Sequence, residues 1–543
     1  MTSRRQTVRR RLGALAIAVA IGALAVAPLG CDRGGTAGGA KRSANTSTFV
    51  YARGADAVTL DPQKMDDGES VLVAANIFEG LVRYAAHGTE IEPALATSWE
   101  VSEDGLRWTF TLRKGVRFHD GSPCDAEAVV FTFSRIIDPK HPAHDAEILN
   151  TALYQDIERV QALDARHVRF TLRRALAPRL FLGNLTVYTA FIVPPGKLAS
   201  REARDAFARQ PIGTGPFVFE RWETGQRIVL RRNEHYWGPK PAIERVVLLS
   251  IADNGARRRL LEAGEVHAID GVNPIDVERL AKTPGVRVIE QPGMSVGYLA
   301  FNCRNRPLDD PRVRRAISLA IDREALVRLN FHGHAQPAVQ ICPPTVLAPP
   351  EGAHAPGRDL ERARALLAEA GLEPGHEFTL WAMPIPRPYM PEPKKIAQLI
   401  KSQLAEIGLR CTIVTYPWDI YLHKTRQGEH DMCLLGWTAD VADPDNFLFV
   451  FFHSANLGGT NFSFFSDPGI DTALLEAQTL RDPARRIRLY RRLERELAER
   501  APLVPLVHPA QLAAVREQVR GFVLHPTGRK LFAGVRLTGR SPE

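Results

Sequence analysis

Cysteine is scarce in this sequence, and several sequence patterns typical of catalysis are missing. Only six cysteines occur in 543 residues, and the sixteen histidines are scattered along the chain. Neither residue type shows the spacing of a zinc site. The sequence also lacks a phosphate-binding GxxxxGK[ST] loop and an HExxH zinc helix. We therefore expect no metal ion, no cofactor and no metal-dependent or nucleotide-dependent enzyme.

Long apolar runs are absent after the first thirty residues, and the excess of positive charge is small. No later segment is long and apolar enough to span a bilayer. The formal charge is +9, and residues 4–11 hold five arginines and no acid, so the rest of the chain carries 9 − 5 = +4. This excess is too small to indicate a nucleic-acid partner. A chain of this length exceeds one hydrophobic core, so two or three domains are expected.

The N-terminus has the composition of a secretory signal. Its arginines are followed by an uncharged stretch of small and apolar residues at 12–30, and then by Cys31. A cysteine after a small residue at the cleavage point resembles the lipobox of bacterial lipoproteins, in which the cysteine carries a lipid. Pro28 departs from the aliphatic residue usual there, which leaves simple signal cleavage as the alternative. Residues 32–46 are rich in Gly, Ser, Thr and Lys and predict a flexible tether.

From Thr48 onward the hydrophobic pattern predicts a mixed α/β protein. Alternating apolar residues predict strands, and apolar residues three and four apart predict helices. After residue 310 the two patterns alternate, which favours a sheet covered by helices. The predicted elements are strands at 48–52, 99–101, 106–112, 158–163, 167–172, 378–383, 411–416 and 432–435, a strand-rich region at 217–250, and helices at 71–82, 126–137, 310–328, 393–408 and 485–500.

A carboxylate follows directly after one of the most apolar predicted strands. Asp440 lies just beyond the run at 432–435. An aspartate is almost never buried without a partner, and a charge left there must pair or its pKa must rise. Ligands of open α/β sheets bind outside the carboxyl ends of the strands, so the segments 383–389 and 436–445 are the candidate binding loops.

Short motifs occur in a fixed order along the chain after residue 47. They are LDPQ at 60–63, IFEGL at 77–81, PALATSWE at 93–100, LRKGV at 112–116, FHDG at 118–121, GTGPF at 213–217, NEHYWG at 233–238, RVRRAI at 312–317, WAMPIPRPY at 381–389 and GWTADVADPDNF at 436–447. In sequence and order these motifs resemble those of the solute-binding proteins of peptide ABC importers, the family 5 extracellular solute-binding proteins.

The resemblance implies a fold and a division into domains. The expected fold is the two-lobed α/β fold of periplasmic binding proteins (type II), in which two lobes close on a ligand around a hinge. An extra domain is inserted into the first lobe. The expected limits are the signal with Cys31 at 1–31, the tether at 32–46, lobe I at 47–85, 200–292 and 506–543, the inserted domain at 86–199, and lobe II at 293–505.

The resemblance also implies a function and partners. We expect a monomeric, extracytoplasmic lipoprotein that captures dipeptides or short peptides and delivers them to an ABC permease and ATPase complex. The lipid on Cys31 would hold it at the periplasmic face of the inner membrane. The resemblance implies no enzymatic activity and no nucleic-acid partner.

Two charged residues are the main candidates for holding the ligand. A dipeptide is a zwitterion, so a site that encloses it needs an acceptor for its ammonium and a donor for its carboxylate. The matched motifs assign the ammonium to Asp440 and the carboxylate to Arg387, whose planar fork suits a carboxylate. The alternatives are that Asp440 accepts backbone N–H groups of its own turn and that Arg387 pairs with a neighbouring acid.

Five further residues are expected to line or border the pocket. For the aromatic residues the alternative is a place in the hydrophobic core, and for Gly68 it is an ordinary turn. These candidates are Tyr389, Trp437, Trp418, Gly436 and Gly68.

The chain also departs from the family pattern. Where the dipeptide binders of the family carry two disulfides, this chain has Ala52 and His267 for one and His453 for half of the other. The loops near these positions are therefore expected to differ from those of the family, and haem, glutathione or another small zwitterion is the alternative ligand. A ligand-sensing lipoprotein is a further alternative. A serine hydrolase is disfavoured because Gly-x-Ser-x-Gly at 293–297 continues into a predicted strand, whereas a nucleophile elbow needs a helix there.

Overall fold

The computed structural model describes residues 47–539, which form a mixed α/β protein. The predicted signal at 1–31 and the predicted tether at 32–46 lie outside these residues. Between residues 47 and 539, no helix combines the length and the apolar character needed to cross a membrane.

The strands are short except for one near the C-terminus. In chain order they are β1 Thr48–Arg53, β2 Val82–Tyr84, β3 Ile91–Pro93, β4 Ala96–Val101, β5 Arg107–Leu112, β6 Ile157–Ala162, β7 His167–Leu172, β8 Phe217–Glu223, β9 Arg227–Arg232, β10 Arg245–Ser250, β11 Ala268–Asp270, β12 Val286–Pro292, β13 Ser295–Phe301, β14 Ala335–Pro337, β15 Glu377–Trp381, β16 Arg410–Val414, β17 Met432–Thr438, β18 Leu503–Arg516, β19 Val519–Arg520, β20 Val523–Leu524, β21 Lys530–Leu531 and β22 Arg536–Leu537.

Many of the helices begin directly after an aspartate whose carboxylate accepts a hydrogen bond from a backbone N–H of the first turn, as at Asp125 and Asp482. In chain order they are α1 Gly68–Ala74, α2 Ala126–Ile137, α3 Pro178–Asn184, α4 Arg201–Phe207, α5 Asn254–Ala263, α6 Val277–Ala281, α7 Pro311–Ala320, α8 Arg323–Asn330, α9 Leu360–Glu369, α10 Pro393–Ala405, α11 Trp418–Gln427, α12 Asp445–Phe452, α13 Pro468–Thr479 and α14 Pro483–Arg500.

One continuous sheet of twelve strands runs through the molecule. Its order is β16-β15-β17-β13-β18-β11-β1-β10-β9-β8, and β12 and β14 also pair with β18. We call β13, β17, β15 and β16 the β13 half, and β11, β1, β10, β9 and β8 the β1 half. The first part of β18 pairs with β13 and its last part pairs with β11 and β12. Each half has its own buried apolar cluster, so the sheet joins two cores.

A separate antiparallel sheet with the order β4-β5-β7-β6 lies within the segment predicted as the inserted domain. It has a third apolar cluster, to which α2 and α3 contribute. An ion pair ties α2 to the segment after β1: Arg135 Nη2 lies 2.6 Å from Asp61 Oδ2, and neither side chain is exposed. The motif at 60–63 is therefore structural. The limits of the lobes and of the inserted domain stay predictions.

Several predicted elements are confirmed closely. The predicted helix at 126–137 is α2. The predicted strands at 99–101 and 106–112 are β4 and β5, which pair with Trp99 opposite Phe110. The predicted strands at 158–163 and 167–172 are β6 and β7, and the region 217–250 supplies β8, β9 and β10.

Two predicted helices are wrong in extent. The helix predicted at 71–82 ends at Ala74, because the carbonyls of Asn76 and Ile77 accept hydrogen bonds from Phe217 and Gly215 instead of continuing the helix. The helix predicted at 310–328 is two helices, α7 and α8. Ile321 is extended between them, and Asp322 caps the second helix by accepting from Ala325 N at 2.8 Å.

The segment after the candidate loop at 436–445 is held by a buried network of charges. Asp443 accepts two hydrogen bonds from Arg486, at 2.5 and 2.8 Å, and Arg486 also donates to Tyr490 Oη at 2.9 Å. Burial and the neighbouring Asp443 raise the pKa of Asp445 to about 7, while Arg486 opposes this rise. These acids act within the protein, so they are not candidates for the ligand's ammonium.

The cysteines of the described segment are all free thiols. Cys124, Cys342, Cys411 and Cys433 are buried, and Cys303 is partly exposed. Burial raises the pKa of Cys411 to about 11, so this thiol is un-ionised at neutral pH. No group of three or more potential metal ligands occurs within residues 47–539.

Candidate ligand-binding site

The candidate loops lie together at one edge of the β13 half. Strand β15 runs parallel to both β16 and β17, so the carboxyl ends of the three strands face the same way. The loop with Arg387 follows β15, helix α11 follows β16, and the loop with Asp440 follows β17. The register of the sheet therefore brings the predicted ligand residues to one side of the molecule.

Asp440 has a carboxylate that no protein group neutralises by direct contact. Its side chain is exposed, and among residues 47–539 it takes part in no hydrogen bond or ion pair. Burial nevertheless raises the pKa of this carboxyl above its usual value, and the cation of Arg529 opposes the rise. The carboxylate is thus accessible from outside, although protein packs around it.

The loop that carries Asp440 reaches across to the β1 half and to the inserted sheet. Ala442 N donates to Tyr84 Oη at 2.8 Å, and Arg179 Nε donates to Ala442 O at 3.2 Å. Val441 packs in the apolar cluster of the β1 half. Asp440 is thus held at a point where the two halves meet, which is where a ligand between them would be enclosed.

Arg387 is presented by a tight turn. Its backbone exchanges two hydrogen bonds with Met390, at 3.1 and 2.8 Å. The guanidinium is exposed and lies 5.2 Å from the centroid of the Trp418 ring. In the described part of the chain it has no carboxylate partner. An exposed guanidinium in a fixed turn beside the Trp418 ring is placed to donate hydrogen bonds to an external carboxylate.

Tyr389 and Gly436 form a packing contact that joins the two loops. A Cβ atom on Gly436 would come within 2.1 Å of the Tyr389 ring, so only glycine leaves room for this ring on β17. A Cβ on Gly297 would likewise approach the Tyr389 carbonyl to 2.5 Å. The two glycines let the Arg387 turn lie directly on the sheet, close to the end of β17.

The two tryptophans border the site and also belong to the core. Trp437 Nε1 donates to Asn446 Oδ1 at 3.1 Å, and its ring contacts Phe451 edge-on. Trp418 stacks on Tyr421 with ring centroids 5.9 Å apart. Both side chains are half-buried, so each has one face in the core and another that is accessible.

Gly68 lies on the β1 half, at the first residue of α1. It is exposed, and nothing lies within 4 Å of the position that a Cβ would occupy. The helix follows β1, whose parallel neighbours β10 and β11 end at the same edge. The surroundings of Gly68 are therefore open on the side where a ligand backbone would approach.

The prediction from sequence missed three residues around Asp440. The pKa values of Arg529 and Tyr188 each respond to its charge, and Tyr84 contacts its loop. Arg529 belongs to the turn at 525–529 between β20 and β21. Pro526 and Gly528 indicate a turn in the sequence. They do not indicate that the Arg529 side chain lies near Asp440.

The serine of the Gly-x-Ser-x-Gly match is part of a strand. Ser295 begins β13, and its Oγ lies 2.9 Å from Thr438 Oγ1 on β17. The strand–turn–helix arrangement of a nucleophile elbow is absent at residues 293–301. The site geometry is thus that of two oppositely charged side chains on loops at a sheet edge, without a catalytic serine.

Comparison with known sequences identifies the family. The sequence model of the bacterial extracellular solute-binding proteins, family 5 (middle), matches residues 90–459. The chain belongs to this family. This chain is 33% identical over 506 residues to a dipeptide-binding protein of Pseudomonas aeruginosa, a match that covers 90% of this chain and 95% of the relative. It is also 33% identical over 521 residues to heme-binding protein A of Haemophilus influenzae, covering 92% and 94% of the two chains.

A solved structure shows the same fold as this family 5 protein. The ABC transporter-associated periplasmic binding protein DppA from Helicobacter pylori, in complex with the peptide STSA, matches with a TM-score of 0.78 at 34% identity, covering 90% of this chain and 98% of that one. The match confirms the expected two-lobed periplasmic-binding-protein fold. Family membership confirms a solute-binding protein of the extracellular class, which binds its solute and does not transform it.

Proposed function

We propose that this protein captures dipeptides or other short peptides between its two lobes and delivers them to the permease of an ABC importer. Two relatives that cover most of the chain support this proposal, one named for dipeptide binding and one whose structure is in complex with a peptide. An ABC permease and ATPase complex is the proposed partner, and the protein acts as a monomer. A lipid on Cys31, outside the described residues, would tether it to the membrane.

The observation that carries the proposal is the pair of unpartnered charges at one sheet edge. Asp440 and Arg387 follow the parallel strands β17 and β15, and neither has an ion-pair partner within residues 47–539. A carboxylate and a guanidinium without protein partners match the two ends of a zwitterion. In this arrangement Asp440 receives the peptide ammonium, Arg387 receives its carboxylate, and Tyr389, Trp437, Trp418, Gly436 and Gly68 border the ligand.

Calorimetry with a small ligand panel tests this function. We expect Ala-Ala to bind more tightly than its C-terminal amide by about 10- to 100-fold, because a hydrogen-bonded charge contributes about 1.5–3 kcal/mol. In Arg387→Gln, both ligands should bind with the same low affinity. Arg315→Gln, an exposed arginine on α7, serves as the control and should keep the preference of the wild type.

Haem and glutathione complete the panel, because a relative with similar identity is named for heme binding. Binding of haem or glutathione without binding of any dipeptide would overturn the proposed function. Equal affinity for the dipeptide and its amide would remove Arg387 from the site while leaving peptide capture in place.

Peptide affinity should depend on pH through Asp440. Burial raises the pKa of this carboxyl above its usual value, so in the free protein it takes up a proton at a higher pH than an exposed aspartate, whose pKa is about 3.9. Only the ionised form attracts the ammonium. We expect dipeptide affinity to fall as the pH is lowered below neutrality, and binding to release protons in that range. Calorimetry between pH 4.5 and 7.5 in buffers of different ionisation enthalpy measures both effects; affinity that stays constant over the range would contradict this role.

A further inference from the structure

Arg529 is a partly buried cation that has no acid partner among residues 47–539. It follows the turn at 525–528, where Gly528 has a φ of 82° and donates its N–H to His525 O at 2.8 Å. Its one hydrogen bond within residues 47–539 runs from Nη2 to Thr186 O, at 2.7 Å. A guanidinium has five N–H donors, so most of them have no protein acceptor. Burial lowers the pKa of Arg529, although part of the side chain stays accessible to solvent.

Three buried arginines of this chain show how such a group is usually satisfied. Arg135 pairs with Asp61, and Arg486 pairs with Asp443. Arg323 has no acid partner but donates to the carbonyls of Pro505 and Ser318 and to a serine hydroxyl. Arg529 differs from all three, because neither an acid nor a set of carbonyls takes up its donors. A partly buried guanidinium with free donors is able to bind an anion that a ligand brings.

The Arg529 side chain lines a cavity of about 120 Å³ in the β1 half. This volume is far below the roughly 300–1,000 Å³ of a pocket for a complete small molecule, so it suits one side chain of a ligand. The walls are largely apolar and include Phe78, Val82, Phe191 and Leu531. The cavity therefore combines apolar walls, which suit methylene groups, with the guanidinium groups of Arg529 and Arg83.

The other ionisable groups of the cavity are already engaged. Glu79 accepts hydrogen bonds from Thr214, Tyr236 and Trp237, at 2.8 to 2.9 Å. Arg83 is half-exposed and lies 3.7 Å from Glu92. Burial lowers the pKa of His525 to about 4, so its ring is neutral, and Nε2 lies within hydrogen-bond distance of the carbonyls of Ala85 and Gly88. Arg529 is thus the cationic group of this cavity that has no acid partner among residues 47–539.

The cavity adjoins the proposed position of the peptide ammonium. Tyr84 lines the cavity, and its hydroxyl accepts from Ala442 N, two residues beyond Asp440. Asp440 and Arg529 each influence the pKa of the other, although they are too far apart for an ion pair. The ligand residue whose ammonium meets Asp440 is the first residue of the peptide, so it is the side chain of this residue that reaches the cavity.

We propose that Arg529 selects peptides whose first residue carries a carboxylate side chain, glutamate or aspartate. This inference rests on the proposed function and specifies the class of peptide. The guanidinium fork would take the side-chain carboxylate in a charge-assisted contact, and the methylene groups would lie against the apolar walls. The ammonium of the peptide would then face Asp440, and its side-chain carboxylate would face Arg529.

Calorimetry with Glu-Ala, Gln-Ala and Ala-Ala tests the inference. Glutamine has the shape of glutamate without its charge, so the ratio of the first two affinities isolates the contact with the carboxylate. We expect the wild type to bind Glu-Ala about 10- to 100-fold more tightly than Gln-Ala, in line with the contribution of hydrogen bonds to charged groups. In Arg529→Gln the ratio should fall to about one, while Ala-Ala keeps or gains affinity. Arg83→Gln removes the other arginine of the cavity and should keep the preference.

The outcomes separate the two proposals. If the wild type binds all three dipeptides without preferring Glu-Ala, or if the preference survives in Arg529→Gln, the role of Arg529 is refuted and peptide capture stands. If none of the three binds to the wild type, peptide capture itself fails. If Arg529→Gln does not fold, the lack of a preference for Glu-Ala over Gln-Ala in the wild type still refutes the role of Arg529, and loss of the preference in Arg83→Gln refutes it as well.

Discussion

Replacing Asp440 with asparagine is expected to weaken dipeptide binding by about 100-fold or more. The substitution keeps the size of the side chain and removes the charge that faces the peptide ammonium. Loss of one partner of an enclosed charge pair costs about 2–5 kcal/mol, and each ~1.4 kcal/mol is a factor of ten in affinity. Calorimetry with a dipeptide measures the loss directly.

The same variant should fold as well as the wild type. Asp440 accepts no hydrogen bond from residues 47–539, and burial raises its pKa, so its ionised form contributes no stability at neutral pH. Asp205→Asn is a matched control, because Asp205 is an exposed carboxylate on helix α4. Unchanged affinity in Asp440→Asn, or an equal loss in Asp205→Asn, would remove Asp440 from the binding site.

The second large effect concerns the stability that the buried network of Asp443, Arg486 and Tyr490 contributes. Arg486→Met should lower the free energy of unfolding by about 3–5 kcal/mol, because it leaves a buried carboxylate without its cation. Asp443 is fully buried, and the Arg486 side chain is only 6% exposed. The midpoint of urea-induced unfolding measures the change.

The adjacent arginine provides the comparison for this experiment. Arg485 is exposed on the same helix, and its replacement with methionine should change stability by less than about 0.5 kcal/mol. The double variant Asp443→Asn, Arg486→Met should recover part of the loss, since the uncompensated charge is then gone. If Arg486→Met and Arg485→Met have the same midpoint of urea-induced unfolding, the buried network does not contribute to stability in the way proposed.

Elements with a strong local signal could be predicted from the sequence. Helix α2 combines an aspartate cap with apolar residues on one face, and β4 and β5 flank a short turn, so local residues alone determine both structures. The family motifs extended this prediction to the whole fold. They also located the loops of Asp440 and Arg387, because both loops follow strands whose apolar sequences are easily recognised.

Features that depend on distant parts of the chain could not be predicted. Helix α1 ends early because residues 215 and 217 take its next carbonyls, and its own sequence does not reveal this. Gly436 and the Tyr389 ring are far apart in sequence, and only the fold brings them into contact. Arg529 is almost ninety residues from Asp440 in sequence, and only the folded chain places the two charges near each other.

The sharing of β18 has a consequence for how the protein unfolds. Residues Leu503–Val507 of this strand hydrogen-bond to the β13 half, and residues Ala510–Arg516 bond to β12 and, in part, to β11. Neither half can therefore complete its sheet without a strand that the other half also needs. Loss of β18 from one side would expose unpaired backbone groups on both sides. The two cores should accordingly be lost in one cooperative transition, even though each has its own apolar cluster.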